Sequence, residues 1–240
     1  MGLDYEKRIT SQNGEDGIIE VMVTHIKHPN RKFLEIGWGD GGANMTINLL
    51  KQGWGGVAVD QSVPAPGTTD YEGLFHFQEY VYPHTCKKYL KYIPKDCDFF
   101  SLDIDSFDYD IAKELLESGF RPKTVCVEIN ARFGPNVVAS FPYVEPKSYK
   151  KKLYRKTKEF GCSLEKYRML WKEYGYIYFG YDSSATNAFF YHNESCNKID
   201  LPILLDEIFP YKDDSAMINI IASHPFWHAR KRLIYGDINA

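Results

Sequence analysis

The sequence predicts an α/β fold: a doubly wound and mostly parallel sheet of about seven strands that ends in an antiparallel hairpin. Three observations support this fold class. Short apolar segments of strand type alternate with segments of helical length, a run of alternating glycines follows the first apolar segment, and no full helix separates the last two strand segments. The 240 residues are enough for one such domain with a sizeable core.

The predicted elements follow in chain order. Strands are predicted over residues 32–36, 56–60, 74–78, 99–104, 124–129, 176–181 and 188–192. Helices are predicted over residues 15–26, 45–52, 85–92, 111–118 and 164–174. We expect residues 1–198 to form one domain, with residues 135–160 as an insertion or lid near the site. A solvated surface helix is the alternative for that insertion. We expect residues 199–240 to pack on the domain or at a contact within a homo-oligomer.

Charge and cysteine content indicate the environment of the protein. The net charge of −3 argues against a general binder of polyanions. No apolar run approaches the ~20 residues of a membrane span, so we expect a soluble protein with no membrane partner. The 5 cysteines are odd in number and include no C-x-x-C pair. This pattern indicates reduced thiols and a cytoplasmic location.

The strand at residues 32–36 leads into a glycine turn, in which Glu35 is followed by Gly37, Gly39 and Gly41. Such glycines allow positive φ and let a ligand lie against the main chain. The spacing matches neither G-x-G-x-x-G nor a P-loop. An acid at the opening suits a cationic ligand such as the methionine end of S-adenosylmethionine. Asp60 ends the next strand, where a carboxylate can bind a ribose diol. A tight turn without a ligand is the alternative.

Acidic and amide side chains follow the fourth and fifth predicted strands. Ligands of open α/β sheets lie beyond the carboxyl ends of strands. We therefore expect Asp105, Glu128 and Asn130 to converge on a divalent cation such as Mg²⁺, Mn²⁺ or Ca²⁺. Asp103 and Asp108 flank Asp105. The alternative is a helix cap in which Asp108 binds backbone amides.

Six ordered patches of the chain resemble the Rossmann-like, S-adenosylmethionine-dependent methyltransferases of the FkbM-like type. They are SQNGEDGI at residues 11–18, LEIG at 34–37, DFFSLDIDSFDY at 98–109, VEIN at 127–130, GCSL at 161–164 and NAFF at 187–190. Methyltransferases of this fold end in a helix followed by a strand pair, which is also the predicted ending here. The chain departs from the family pattern at Ser106, where glycine is usual, and at Ile129, where tyrosine is usual.

The resemblance implies S-adenosylmethionine as the methyl donor and a hydroxyl acceptor on a sugar, a glycan or a small natural product. It implies that Glu35 binds the methionine ammonium and that Asp60 and Gln61 bind the ribose. The remaining predicted donor contacts are Gly37, Gly39, Asp103, Gln78 and Glu79 near the adenine, and Gln12 and Glu15 on the N-terminal side. A helix N-cap formed by Ser11 or Asn13 is the alternative for the N-terminal motif.

A second resemblance concerns mechanism. Catechol-type and macrolide-sugar O-methyltransferases hold Mg²⁺ with an Asp after strand four and use a base three residues further on. This likeness implies Asp105 and Asp108 as catalytic residues, with Asp105, Glu128 and Asn130 as ligands of Mg²⁺ or Mn²⁺. Asp108 would take the proton of the acceptor hydroxyl.

Two other functions compete with this one. The first is a non-catalytic binding or assembly module with the same fold. The second is a nucleic-acid methyltransferase, because residues 147–158 are rich in lysine and tyrosine. The rest of the chain is not basic, so nucleic acid is not the expected partner. Trp38, Phe133, Phe141 and Tyr143 lie near the predicted mouth, where rings can stack on sugar faces; core packing is the default expectation for any one of them.

Overall fold

The computed structural model describes residues 5–134, 136–141, 143 and 160–199. Most of the predicted insertion, including its lysine-rich residues 147–158, lies outside these residues. The same is true of the C-terminal extension from residue 200 onward.

Within the described residues, seven strands form one sheet in the order β3-β2-β1-β4-β5-β7-β6. Their bounds are β1 Lys32–Ile36, β2 Gly55–Asp60, β3 Leu74–Gln78, β4 Phe99–Leu102, β5 Thr124–Glu128, β6 Tyr176–Tyr181 and β7 Asn187–His192. Strands β1 to β5 are parallel, and β7 runs antiparallel to both β5 and β6. This is a Rossmann-like, mostly parallel sheet with a terminal antiparallel pair, so the predicted fold class is confirmed.

The fourth strand is shorter than predicted. It ends at Leu102 rather than at residue 104. The chain turns at Asp105, whose φ of 55° lies in the left-handed region that side chains rarely adopt. The turn brings the acidic residues that follow β4 back over the carboxyl edge of the sheet.

Four α-helices and two 3-10 helices connect the strands of the described residues. The α-helices are α1 Glu15–Thr24, α2 Ile47–Lys51, α3 Asp108–Glu117 and α4 Leu164–Glu173. The helix predicted over residues 85–92 is present as a 3-10 helix, which spans Cys86–Lys91. Pro83 and Pro94 bracket that segment and leave little room for α-helical turns. A second 3-10 helix, Ala131–Phe133, was not predicted.

The core has one layer on each face of the sheet. Helices α1 and α2 pack on one face around Phe33 and Phe189. Helices α3 and α4 and the 3-10 helix Cys86–Lys91 pack on the other face around Phe100 and Trp171. All five cysteines are buried as free thiols. Among the described residues, no helix has the length and apolar character needed to cross a membrane.

Candidate functional site

The glycine turn after β1 depends on two close backbone contacts. The amide of Gly37 donates to the carbonyl of Val59 at 2.9 Å. Gly37 has a φ of 96°, and a Cβ at this position would lie 1.5 Å from the carbonyl oxygen of Asp103. No other residue fits between the ends of β1 and β4 without moving one of them. The glycine therefore lets these two strand ends approach closely.

Gly39, in the same turn, is not crowded by neighbouring atoms as Gly37 is. Its φ is 67°, yet an added Cβ would meet no atom within 4 Å. Its amide donates to Oδ2 of Asp60 at 2.9 Å. The backbone of this turn therefore borders open space directly above the tip of β2, as a ligand cradle requires.

Asp60 connects the glycine turn to the loop after β2. Oδ1 of Asp60 accepts the amide of Ser62 at 2.6 Å, and Oδ2 accepts the amide of Gly39. The side chain is half-buried, as is the neighbouring Gln61. Each carboxylate oxygen keeps a second acceptor position, which a hydroxyl of a ribose can use. The structure thus brings Asp60 and the glycine turn together, as the sequence predicted.

Glu35 is buried with only 2% of its surface exposed. Its carboxylate accepts the amide of Met45 at 3.0 Å and the hydroxyl of Thr46, at the start of α2. Burial raises the pKa of Glu35 to about 7. The prediction placed this side chain on a ligand ammonium, whereas in this structure both of its oxygens stabilise the entry to α2.

The N-terminal motif is held by Asp16, which the sequence analysis did not select. Oδ2 of Asp16 accepts the amides of Ile9, Thr10 and Ser11 at 2.7–2.8 Å. The hydroxyl of Ser11 in turn accepts the amide of Asp16 at 3.0 Å. The N-cap residue of α1 is Gly14, so the alternative of an N-cap by Ser11 or Asn13 is not observed, although the Ser11 hydroxyl binds an amide of the first helical turn. Gln12, expected at the donor, is exposed to solvent.

Glu15 is completely buried and links the N-terminal motif to β7. Its carboxylate accepts the amide of Asn13 at 2.6 Å and the side-chain amide of Asn187 at 3.0 Å. Asn187 pairs in register with Glu128 across β5 and β7. Three patches of the family resemblance, far apart in the chain, thus meet at one edge of the sheet.

The residues expected near the adenine lie at the end of β3. Gln78 is exposed and pairs in register with Asp60. Glu79 donates its amide to the carbonyl of Asp60 at 2.8 Å. The carboxylate of Glu79 binds Lys88 and accepts the hydroxyl of Tyr89 at 3.1 Å. Gln78 is therefore free to face a ligand, while Glu79 is engaged with the 3-10 helix Cys86–Lys91.

Three carboxylates meet at the ends of β4 and β5. One oxygen from each of Asp103, Asp105 and Glu128 lies within 4.8 Å of the others. Glu128 hydrogen-bonds to Asp103, and among the described residues its buried Oε2 has no hydrogen-bond partner. Burial, followed by repulsion from Asp108 and Asp105, raises the pKa of Asp103 to about 7. Burial and repulsion from Asp103 hold the pKa of Glu128 well above its ordinary value.

Two predicted residues do not join this acidic cluster of Asp103, Asp105 and Glu128. The carboxylate of Asp108 is fully buried and accepts the amides of Ile104 at 2.8 Å and Ser106 at 3.0 Å. Burial raises its pKa to about 6. Asp108 thus takes the alternative role of binding backbone amides, because the turn before α3 folds over it.

Asn130 is likewise occupied by the backbone. Its side-chain amide donates to the carbonyl of Phe160 at 3.0 Å, and its Oδ1 accepts the amide of Arg132 at 3.2 Å. Asn130 therefore caps the 3-10 helix Ala131–Phe133. The structure therefore brings the predicted residues Asp105 and Glu128 together with Asp103, while both polar atoms of the Asn130 side chain bind backbone.

Comparisons with known proteins identify distant structural similarities only. No family profile matches the chain, and no curated protein sequence matches it either. A hemolysin candidate from Lactococcus lactis superposes on 78% of this chain and 88% of its own, with 16% identity and a TM-score of 0.47. The small RNA methyltransferase HEN1 covers 80% of this chain, with 16% identity and a TM-score of 0.40. A geranyl diphosphate methyltransferase bound to GPP and sinefungin covers 69%, with 12% identity and a TM-score of 0.39.

The chain spans 27% of HEN1 and 61% of the geranyl diphosphate methyltransferase. At these identities and scores, the fold assignment rests on the strand order of the sheet rather than on any one of these proteins.

Most of the aromatic residues expected at the mouth are core residues. Trp38 and Phe133 are fully buried, and Phe141 is 5% exposed. Core packing, the default expectation for each of these rings, therefore holds for these three. Tyr143 is half-buried, and its ring packs at 4.8 Å against Phe107, next to the turn that carries Asp105. Of the four predicted aromatics, Tyr143 is thus the one that is half-buried rather than buried.

Proposed function

We propose that this protein is an S-adenosylmethionine-dependent methyltransferase that transfers a methyl group to a hydroxyl of a sugar, a glycan or a small natural product. The observation that carries the proposal is the bond between Asp60 and the amide of Gly39 beneath an open glycine turn. This contact sets a ribose-binding carboxylate beside backbone that a ligand can approach, at the carboxyl edge of a methyltransferase sheet.

The charge of the site supports a cationic donor. Glu35, Asp103 and Glu128 are carboxyl groups at the carboxyl ends of β1, β4 and β5, and within the described residues none of them pairs with a lysine or arginine. Burial raises the pKa of all three groups, and a sulfonium or an ammonium group bound beside them would favour their ionised forms, whereas a phosphate would not. The hydroxyl acceptor is supported by the resemblance of the six patches to FkbM-like methyltransferases.

The acidic cluster fits a divalent metal ion in its chemistry. It offers three hard oxygen ligands and a buried Glu128 oxygen without a partner among the described residues. Asp103, Asp105 and Glu128 would hold Mg²⁺ or Mn²⁺, which lowers the pKa of a hydroxyl that binds it. Asp105 is half-buried and reaches the cluster, whereas Asp108 does not. We therefore assign Asp105, and not Asp108, to the reacting end of the site.

Calorimetric titration with S-adenosylmethionine tests the donor site. We expect micromolar binding by the wild-type protein and at least a tenfold weaker affinity for Asp60→Asn, which removes the charge from the ribose carboxylate. Asp96→Asn is the matched control, because Asp96 is exposed at the opposite end of the sheet. Absence of donor binding by the folded wild-type protein contradicts the proposal.

Titration with Mn²⁺, followed by the paramagnetic resonance signal of free Mn²⁺, tests the ligand set. Asp103→Asn and Glu128→Gln should each weaken Mn²⁺ binding at least tenfold. Glu114→Gln, which alters a half-buried carboxylate on α3 paired with Lys87, should leave it unchanged. If Asp103→Asn binds Mn²⁺ as tightly as the wild type, the proposed ligand set of Asp103, Asp105 and Glu128 is wrong.

A non-catalytic binding module is favoured by one observation. Asp108, the base implied by the metal-dependent relatives, is buried with both oxygens on backbone amides. A module of this kind would bind the donor without turnover. Release of S-adenosylhomocysteine in the presence of sugar and phenol acceptors, lost in Asp105→Asn, distinguishes the enzyme from the module.

A further inference from the structure

A second cleft lies apart from the acidic cluster, between the segment before α1 and the far end of the glycine turn. Its volume is about 500 Å³, within the range of small-molecule sites. Its walls come from residues 8–11, residues 41–43, α2 and the loop after β2. Neither Asp103, Asp105 nor Glu128 lines it.

The charge of this cleft is opposite to that of the acidic cluster. Arg8 and Lys51 are its charged lining residues, and both are exposed. Neither forms an ion pair within the part of the chain that the structure describes. Two unpaired cations at one cleft attract an anion.

The nearby acids do not cancel this charge by contact with the two cations. The carboxylate of Asp16 is buried and is saturated by the amides of residues 9–11. Asp40 uses Oδ1 to accept the amide of Gly42 at 2.8 Å. Both carboxylates thus bind backbone, and the charged side chains that line the cleft itself are Arg8 and Lys51.

The rest of the lining suits a small molecule with an organic part. Gly67 has a φ of 80°, and an added Cβ would meet only Oδ2 of Asp70, at 3.9 Å, so its backbone is open to the cleft beside one carboxylate. Tyr71 is half-buried in the wall and Ile47 is buried behind it. An anionic group in this cleft could contact Arg8, Lys51 and open backbone. The organic group that bears the anion could pack against the ring of Tyr71.

We propose that this cleft binds a phosphorylated small molecule, with the phosphate between Arg8 and Lys51 and the organic part against Tyr71. A phosphate dianion matches the two cationic charges, and Arg binds phosphate oxygens through its forked donors. The site goes beyond the proposed methyl transfer, and phosphate binding can be measured without any methyl donor.

Nuclear magnetic resonance of the ¹⁵N-labelled protein, titrated with inorganic phosphate at low salt, tests the proposal. We expect shifts at the amides of Gly42, Gly67 and Thr68, and at least a tenfold weaker affinity in the double variant Arg8→Gln/Lys51→Gln. Lys172→Gln is the matched control, since Lys172 is an exposed lysine in the last turn of α4, as Lys51 is in that of α2. No shifts at these amides, or equal affinity in the double variant, overturns the proposal.

Addition of S-adenosylmethionine to the phosphate-saturated protein distinguishes the source of the anion. Retention of the phosphate-induced shifts supports a separate site for a phosphorylated molecule. Displacement of phosphate overturns the proposal, because the cleft would then take the carboxylate of the methyl donor.

Discussion

Two glycines of the same turn have different physical reasons to be glycine. Gly37 is confined by the carbonyl oxygen of Asp103, which an added Cβ would approach to 1.5 Å. Gly39 has open space around it, and only its positive φ of 67° disfavours a side chain. The first glycine serves the packing of β1 against β4, and the second keeps backbone accessible.

Alanine substitution at each position distinguishes the packing constraint at Gly37 from the backbone constraint at Gly39. Gly37→Ala should lower the free energy of unfolding by about 3 kcal/mol or more, because backbone must move. Gly39→Ala should cost about 1 kcal/mol, the left-handed penalty of a residue with Cβ. Urea unfolding measures both changes. Equal costs for the two variants would contradict the difference in packing. If the proposed donor site is correct, Gly39→Ala should also weaken donor binding while the protein stays folded.

The raised pKa of Glu35 predicts how the free energy of unfolding changes with pH. Its pKa is about 7 in the folded protein and 4.5 in the absence of burial. Between these values the folded state binds more protons than the unfolded state, so the free energy of unfolding falls as pH rises from 4.5 to 7. Full ionisation costs on the order of 3 kcal/mol.

Glu35→Gln keeps the neutral shape and removes this titration. Its amide oxygen can accept from Met45 and its NH₂ can donate to Thr46. We expect the variant to match the wild type in urea unfolding at pH 4.5 and to be more stable than the wild type at pH 8. Asp103, Asp108 and Glu128 titrate in both proteins, so the difference reports Glu35. Parallel stability curves across this pH range would contradict the prediction.

At the scale of the element, α1 begins under the control of one side chain. Asp16 collects the amides of Ile9, Thr10 and Ser11, and so folds the preceding segment back over the helix start. Gly14 occupies the N-cap with a φ of 99° and no side chain to cap. The amides of residues 9–11, in the segment before the helix, therefore depend on Asp16 as their acceptor, and the N-cap residue contributes no side-chain bond.

Asp16→Ala should reduce the free energy of unfolding by at least about 2 kcal/mol, because buried amides lose a charged acceptor. Glu20→Ala, on the exposed side of α1, should change it by less than about 0.5 kcal/mol. Urea unfolding compares the variants, and hydrogen exchange locates the loss. We expect faster exchange at residues 9–11; unchanged protection there would show that Asp16 does not organise the segment.

At the scale of the whole molecule, a buried ion pair joins three strands at the edge opposite the site. Asp98 accepts the amides of Asn30 and Arg31 before β1, at 2.7 and 2.6 Å. Its other oxygen lies 2.7 Å from Nζ of Lys123, which also donates to the carbonyl of His28. The pair therefore fixes the entries to β1, β4 and β5 relative to one another.

Lys123→Met should destabilise the protein by about 3–5 kcal/mol, since it leaves Asp98 as an unpaired buried charge. The double variant Asp98→Asn/Lys123→Met should recover part of this loss, because no buried charge remains. Lys113→Met is the control, as Lys113 is exposed on α3. Thermal and urea unfolding measure the differences. A double variant no more stable than Lys123→Met alone would contradict the charge argument.

The sequence predicted all seven strands of the sheet and the meeting of the glycine turn with Asp60. It could do so because apolar runs, glycine spacing and acids at strand ends are local patterns with a fixed place in a parallel sheet. It did not predict Asp16 or Asn187 as organising residues, because their partners lie on other elements. A signal for Asp16 existed in the polar residues 10–13, which precede the helix and need acceptors for their amides.

What the sequence determined by itself is therefore the fold class, the order of elements and the edge of the sheet where the site lies. Only the tertiary structure decided what each acid at that edge does. Asp103, Asp105 and Glu128 converge, whereas Asp108 and Asn130 bind backbone amides and carbonyls of neighbouring turns. The physical reason is that a buried carboxyl or amide group must find a partner, and the nearest partner is set by how the turns fold over it.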